Sequence, residues 1–204
     1  CALPIYETVM YGAHWDGYGV GTPNAQGDKI YNAAVDNATG VAALLELAHA
    51  FADGPHAKRS VVFAAWSGEE AGLLGSTYYA ANPVWPLETT VANINVDSLL
   101  PGAEIDPNVV VIGKGKNQLD DILARHATET GRTLIADPAP QAGAFYRSDH
   151  FPLALKGVPA LFPAAGFTGA RPARPDHAQA RSTQHTDEGA RDLAQRRAPA
   201  ARAR

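Results

Sequence analysis

Six side chains fall at spacings that suit hydrolytic metal chemistry: His14 and Asp16 two residues apart, Asp36, the pair Glu69 and Glu70, and Asp97. Zinc takes imidazole nitrogen and carboxylate oxygen at about 2.0–2.2 Å. Two ions about 3.5–4 Å apart need a shared carboxylate between them to screen their repulsion. A further carboxylate beside a ligand can carry a proton. Each residue also has an ordinary reading. A lone His after a strand is a surface or hydrogen-bonded His, Asp36 is a helix cap, paired Glu residues favour a helix start, and Asp97 is a turn former. The case therefore rests on their joint order and on what places them.

The elements that must place them are legible. Residues 8–13, 60–66, 91–96, 109–112, 133–136 and 159–162 read as apolar strands, and 17–35 as a Gly/Asn/Asp-rich loop. Val41, Leu44, Leu45, Ala48 and Phe51 recur at helical spacing. Asn37 or Thr39 is available to cap that helix, and Gly54-Pro55 ends it. Further helices are expected from about 71 to 81 and over 117–130. Strands alternating with helices predict an α/β three-layer sandwich around a mixed, largely parallel sheet. The six side chains then sit at or just beyond strand ends, where ligands bind in open α/β sheets.

Four blocks carry a resemblance. They are Tyr11-Gly12-Ala13-His14-Trp15-Asp16, Ala34-Val35-Asp36-Asn37-Ala38-Thr39-Gly40, Phe63 through Ser76 with Ser67-Gly68-Glu69-Glu70 inside it, and Asn93-Ile94-Asn95-Val96-Asp97. In that order they resemble the co-catalytic zinc aminopeptidase family, which includes bacterial leucyl-type aminopeptidases and glutamate carboxypeptidases. The resemblance spans residues 6–166. It implies two Zn2+ ions: His14 and Asp97 on one, Glu70 on the other, and Asp36 bridging both. It implies Glu69 as general base toward a metal-bound water, whose pKa falls to about 7 on zinc. It implies Asp16 behind His14, accepting the far N–H of the ring. The substrate implied is a peptide with a free N-terminus, cleaved at its first bond.

The pattern departs at both ends. The family supplies a second His near the end of the domain. Phe145-Tyr146-Arg147-Ser148-Asp149-His150-Phe151-Pro152 still resembles it, with Asp149 expected near the site and His150 not a usual ligand. His185 is the candidate for the second imidazole, with His177 behind it. Strands and a helix that the resemblance places before His14 are not in the chain, so the domain is expected to be incomplete at its N-terminus. Relatives on the same fold also include one-zinc glutaminyl-cyclase-like catalysts and non-catalytic members. Both remain as alternatives.

Composition limits the rest. The 204 residues carry a net charge of −4, which argues against nucleic acid as the main partner. One Cys excludes an internal disulfide and a Cys-based metal site. No apolar run reaches the roughly 18 residues of a membrane span. No signal-peptide pattern opens the chain, and a periplasmic or secreted location follows from the resemblance alone. Residues 1–169, the expected catalytic domain, carry nine basic and seventeen acidic groups. Residues 170–204 hold eight of the twelve Arg, ten Ala and a single Leu. Such a tail is expected to be disordered or non-native, because it buries too little apolar surface to offset its ordering entropy.

Overall fold

The computed structural model describes residues 6–99 and 107–165. The tail and its His177 and His185 lie outside the described residues.

The sheet grows from β1, Thr8–His14, whose alternating side chains serve two cores. Met10 points to one face and packs with Trp66, Ala80, Leu153 and Val158. Ala13 points to the other and packs with Leu44 and Val96, with Tyr11 and Phe63 against it. Burial on both faces is what a central parallel strand demands, and it explains the near-continuous apolar text. β1 lies between β4, Ser60–Trp66, and β5, Thr90–Asn95, parallel to both. With β6 (Asn108–Ile112), β7 (Thr133–Ala136) and β8 (Ala160–Ala165), the strand order is β4-β1-β5-β8-β6-β7. β6 runs antiparallel to β8 and parallel to β7, so the sheet is mixed and mostly parallel. Two short strands, β2 (Gly19–Val20) and β3 (Ile30–Tyr31), form a hairpin inside the segment read from sequence as plain loop. Two-residue strands leave no periodicity to detect.

Helix α1, Thr39–Asp53, covers one face. Its start is capped by Asn37, whose Oδ1 accepts from the Gly40 N–H at 3.0 Å. Phe51 meets Tyr11 and Phe63 at ring separations of 5.9 and 6.1 Å. Leu45, in phase by spacing, is nevertheless exposed. Helices α2, Leu74–Ala81, and α4, His150–Leu155, cover the opposite face, and α3, Leu119–Glu129, flanks β7 and β8. α2 starts later than the sequence suggests. Gly72 and Leu73 take positive φ, which ends the preceding turn before helix begins. The six-residue α4 was not legible, being too short for a 3.6-residue period.

Two glycines serve close approach. A Cβ on Gly12 would lie 2.5 Å from Nε1 of Trp66. A Cβ on Gly75 would lie 2.7 and 2.9 Å from the backbone O and N of Ser67, whose carbonyl accepts from the Gly75 N–H at 2.8 Å. That contact seats α2 directly against the turn bearing Glu69 and Glu70.

Candidate metal centre

Three strand ends converge, those of β1, β4 and β5. β1 ends at His14, beside β5, which leads through Val96 to Asp97. Asp36 enters from the turn ahead of α1. Asn37 ties that turn to the end of β5: its Nδ2 donates to the Val96 carbonyl at 3.0 Å and its Oδ1 accepts from the Ser98 N–H at 3.1 Å. Glu69 and Glu70 arrive on the turn after β4. Asp16 holds that turn, its Oδ1 accepting from the Glu69 N–H at 3.1 Å and its Oδ2 from the Glu70 N–H at 3.2 Å.

The result is a compact donor set. Nε2 of the buried His14 lies 3.1 Å from Oδ1 of Asp36, 3.6 Å from Oδ1 of Asp97 and 3.9 Å from Oε2 of Glu69. One ligand atom from each of His14, Asp36 and Asp97 falls within 4.8 Å of the others. Glu70 is not a member of that three-residue group. Asp16 departs from expectation. The nearest partner of His14 Nδ1 is the backbone carbonyl of Asp16 at 3.1 Å, while its carboxylate stands at 3.7 Å and is engaged by the two glutamate N–H groups. The carboxylate thus orients the Glu69 turn, and the peptide group orients the ring.

Comparison with known proteins identifies the lineage. The Peptidase family M28 model matches residues 4–201. The chain belongs to peptidase family M28. Probable lipoprotein aminopeptidase LpqL of Mycobacterium tuberculosis is 41% identical over 73 residues, covering 36% of this chain and 13% of that protein. Among solved structures, the LapA aminopeptidase of Legionella pneumophila superposes with a TM-score of 0.63 at 22% identity, covering 81% of this chain and 43% of that one. BSAP, a zinc aminopeptidase from Bacillus subtilis, gives 0.60 at 23%, covering 81% and 38%. The chain thus spans less than half the length of each of these relatives.

The electrostatics of this M28 site favour a cation. Burial pulls the proton affinity of His14 down, but Asp36 and Asp97 outweigh it and lift the pKa to about 11. Burial raises Glu69 to about 9, helped by Asp97, Glu70 and Asp149 and opposed by His14. Asp97 is held low despite burial, through His14 and the hydroxyls of Ser148 and Ser98. A zinc ion fits this donor set. The chemistry is imidazole plus carboxylate, and buried Nε2 of His14 has no well-aligned hydrogen bond although carboxylate oxygens surround it.

Behind the site lies a buried polar strip that sequence reading located only in part. Ser148 Oγ donates to Oδ2 of Asp97 at 2.7 Å and accepts from Nδ2 of Asn95 at 2.7 Å. Ser76 Oγ donates to Oδ1 of Asp149 at 2.6 Å, and burial lifts the Asp149 pKa to about 7. Asp149 therefore stands beside the site without joining the three-ligand group. The roles of Ser148 and Asn95, and the tie from Asn37 to the end of β5, were missed. The available signal was alternation: Asn93, Asn95 and Asp97 share one face of an otherwise apolar strand.

Proposed function

We propose that this protein is a zinc-dependent aminopeptidase that hydrolyses the first peptide bond of substrates with a free N-terminus. The observation that carries the reading is the convergence of His14, Asp36 and Asp97 with Glu69 alongside. In this reading His14 and Asp97 hold one zinc, Asp36 is shared, and Glu70 serves a second ion, with His185 the candidate for its imidazole. Bound zinc supplies a Lewis acid for the scissile carbonyl and acidifies the attacking water.

The chain's own groups do the rest. Glu69 takes a proton from the attacking water onto its carboxylate and returns it to the nitrogen of the leaving amine, so the base is regenerated. Its Oε2 stands 3.9 Å from Nε2 of His14, beside the donor set formed by His14, Asp36 and Asp97, which places it next to a water held there. The Asp16 carboxylate fixes the backbone of Glu69 and Glu70, and the Asp16 carbonyl fixes the tautomer of His14 with Nε2 facing the carboxylates. An extracytoplasmic location, periplasmic or secreted, belongs to the same reading. One relative is named a lipoprotein aminopeptidase, and among the described residues no helix is long and apolar enough to cross a membrane.

The test is hydrolysis of leucine p-nitroanilide by chelator-stripped protein with and without added zinc. Activity that returns with zinc, vanishes in His14→Ala and fails on the N-acetylated substrate supports the proposal. Zinc-independent turnover, or none from metal-loaded protein, defeats it.

A further inference from the structure

Between Asp16 and Asp36 the chain folds back on itself as the β2–β3 hairpin, so both legs of the hairpin start from residues that build the metal centre. The legs close at their base. A Cβ on Gly17 would lie 2.6 Å from that of Ala33, and Ala33 takes a positive φ of 52° as the chain turns in toward Asp36. Above the base Gly19 pairs with Tyr31 and Val20 with Ile30, and the Gly21 N–H extends the ladder to the Lys29 carbonyl at 2.9 Å. At the tip Oδ1 of Asn24 accepts from the N–H groups of Gln26 and Asp28 at 2.9 and 3.0 Å, and Oδ1 of Asp28 accepts from the Ile30 N–H at 2.9 Å. The hairpin is therefore held by its own bonds although its strands are short.

Its two faces differ, because side chains alternate along each strand. One face carries Tyr31, which meets Tyr18 edge-on at 5.9 Å and lies so close over Gly21 that a Cβ there would strike its ring. The other carries Val20 and Ile30 directly opposite one another, 76% and 61% exposed, so no described residue covers them. An extended chain spans at most about 3.6 Å per residue, so Val20 stands within about 14 Å of Asp16, four residues back. A peptide held by its N-terminus at the metal centre runs outward across the rim, and as an extended strand it covers that distance in about four residues.

We infer that the Val20/Ile30 face receives the substrate chain beyond the bond that is cut, and selects apolar side chains about three to four residues from the N-terminus. The inference rests on the aminopeptidase reading above and adds a preference that lies away from the residue released. Continuity with the two legs of the site favours the substrate over a second copy of the chain. Two side chains also fall far short of the roughly 800 Å² per partner that a standard protein interface buries. Val and Ile are strong strand formers, which alone would account for them in a hairpin. Thr is a strand former too, so replacing both by Thr keeps the propensity and removes the apolar face.

The test compares the zinc-loaded full-length protein with its Val20→Thr/Ile30→Thr form. The substrates are leucine p-nitroanilide and two leucine-headed pentapeptides, one with Val-Ile and one with Ser-Ser at the third and fourth positions. The unaltered protein is expected to favour the Val-Ile peptide by about 5–10-fold in kcat/KM, less than a closed pocket gives because the face is open. The double variant should lose that preference through KM and keep its activity on leucine p-nitroanilide within about twofold. No preference in the unaltered protein, or the same preference in both proteins, overturns the inference. Equal losses on all three substrates mean a merely structural hairpin and also overturn it. A concentration-dependent dimer that the double variant abolishes, seen by light scattering, assigns the face to a second copy instead. If the double variant does not fold, Val20→Thr alone decides by the same criteria. If the unaltered, zinc-loaded protein releases no leucine from any substrate, the aminopeptidase reading falls and the inference with it. If it does release leucine but without the preference, only the inference falls.

Discussion

Replacing Asp16 by Asn separates two accounts of what that carboxylate does. Its oxygens accept one N–H each from Glu69 and Glu70, at 3.1 and 3.2 Å. The amide keeps one acceptor and turns an NH2 group toward the other N–H. A hydrogen bond to a charged group is worth about 1.5–3 kcal/mol. Asp16 is a quarter exposed, so the lower end, about 1.5–2 kcal/mol, applies. If that energy goes into holding the Glu69 turn in its reactive position, kcat/KM on leucine p-nitroanilide falls about 10–30-fold, at 1.36 kcal/mol per tenfold. The melting temperature of the metal-free protein falls by about 3–8 °C. Zinc affinity stays within about threefold, because the backbone carbonyl on Nδ1 of His14 survives the change. A carboxylate that instead acted through the imidazole would cost about 10–100-fold in zinc affinity. Unchanged kcat/KM and melting temperature, or a tenfold loss of zinc affinity, would refute this reasoning.

Three further outcomes follow from the same geometry. Glu69→Gln is expected to retain its zinc, counted by mass spectrometry, while losing at least about a hundredfold in kcat; ordinary turnover excludes Glu69 as the base. His150 is fully buried between Phe145 and Phe162, and burial lowers its pKa to about 4. The unfolded chain therefore binds this proton more readily, and the stability it contributes is complete above pH 6.5 and lost as pH falls toward 4. The full effect is about 3 kcal/mol at 1.36 per pH unit. Denaturant midpoints of His150→Phe should be flatter than those of the unaltered protein across that window, and parallel curves would contradict the assignment. Gly75→Ala places a methyl against the Ser67 backbone and should cost about 1–3 kcal/mol by thermal melt; a neutral result would mean that the Ser67 turn yields freely.

Much of this was legible in the residues, for physical reasons. The strands announce themselves as apolar runs, so β1, β4 and β7 were placed to within a residue. The cap of α1 was readable because Asn37 is one of few side chains able to accept an N–H two or three residues on. His14, Asp36 and Asp97 could be grouped because strand ends in such a sheet face one crevice. What eluded the sequence depends on atoms rather than residue types. Nothing in the text says that the Asp16 carbonyl, not its carboxylate, would sit closest to the ring, or that Ser148 would choose Oδ2 of Asp97. The Ser148 hydroxyl comes from 51 residues away, and only the packing of α4 beside β5 makes that contact.

The central claim is that His14, Asp36 and Asp97 bind zinc. Anomalous diffraction recorded on both sides of the zinc edge, from crystals of protein purified without added metal and then soaked in zinc, tests it most directly. The account predicts a strong peak bounded by Nε2 of His14, Oδ1 of Asp97 and the Asp36 carboxylate, and its loss in His14→Ala. A map with no peak among those three side chains, at full zinc occupancy elsewhere on the chain, would contradict it.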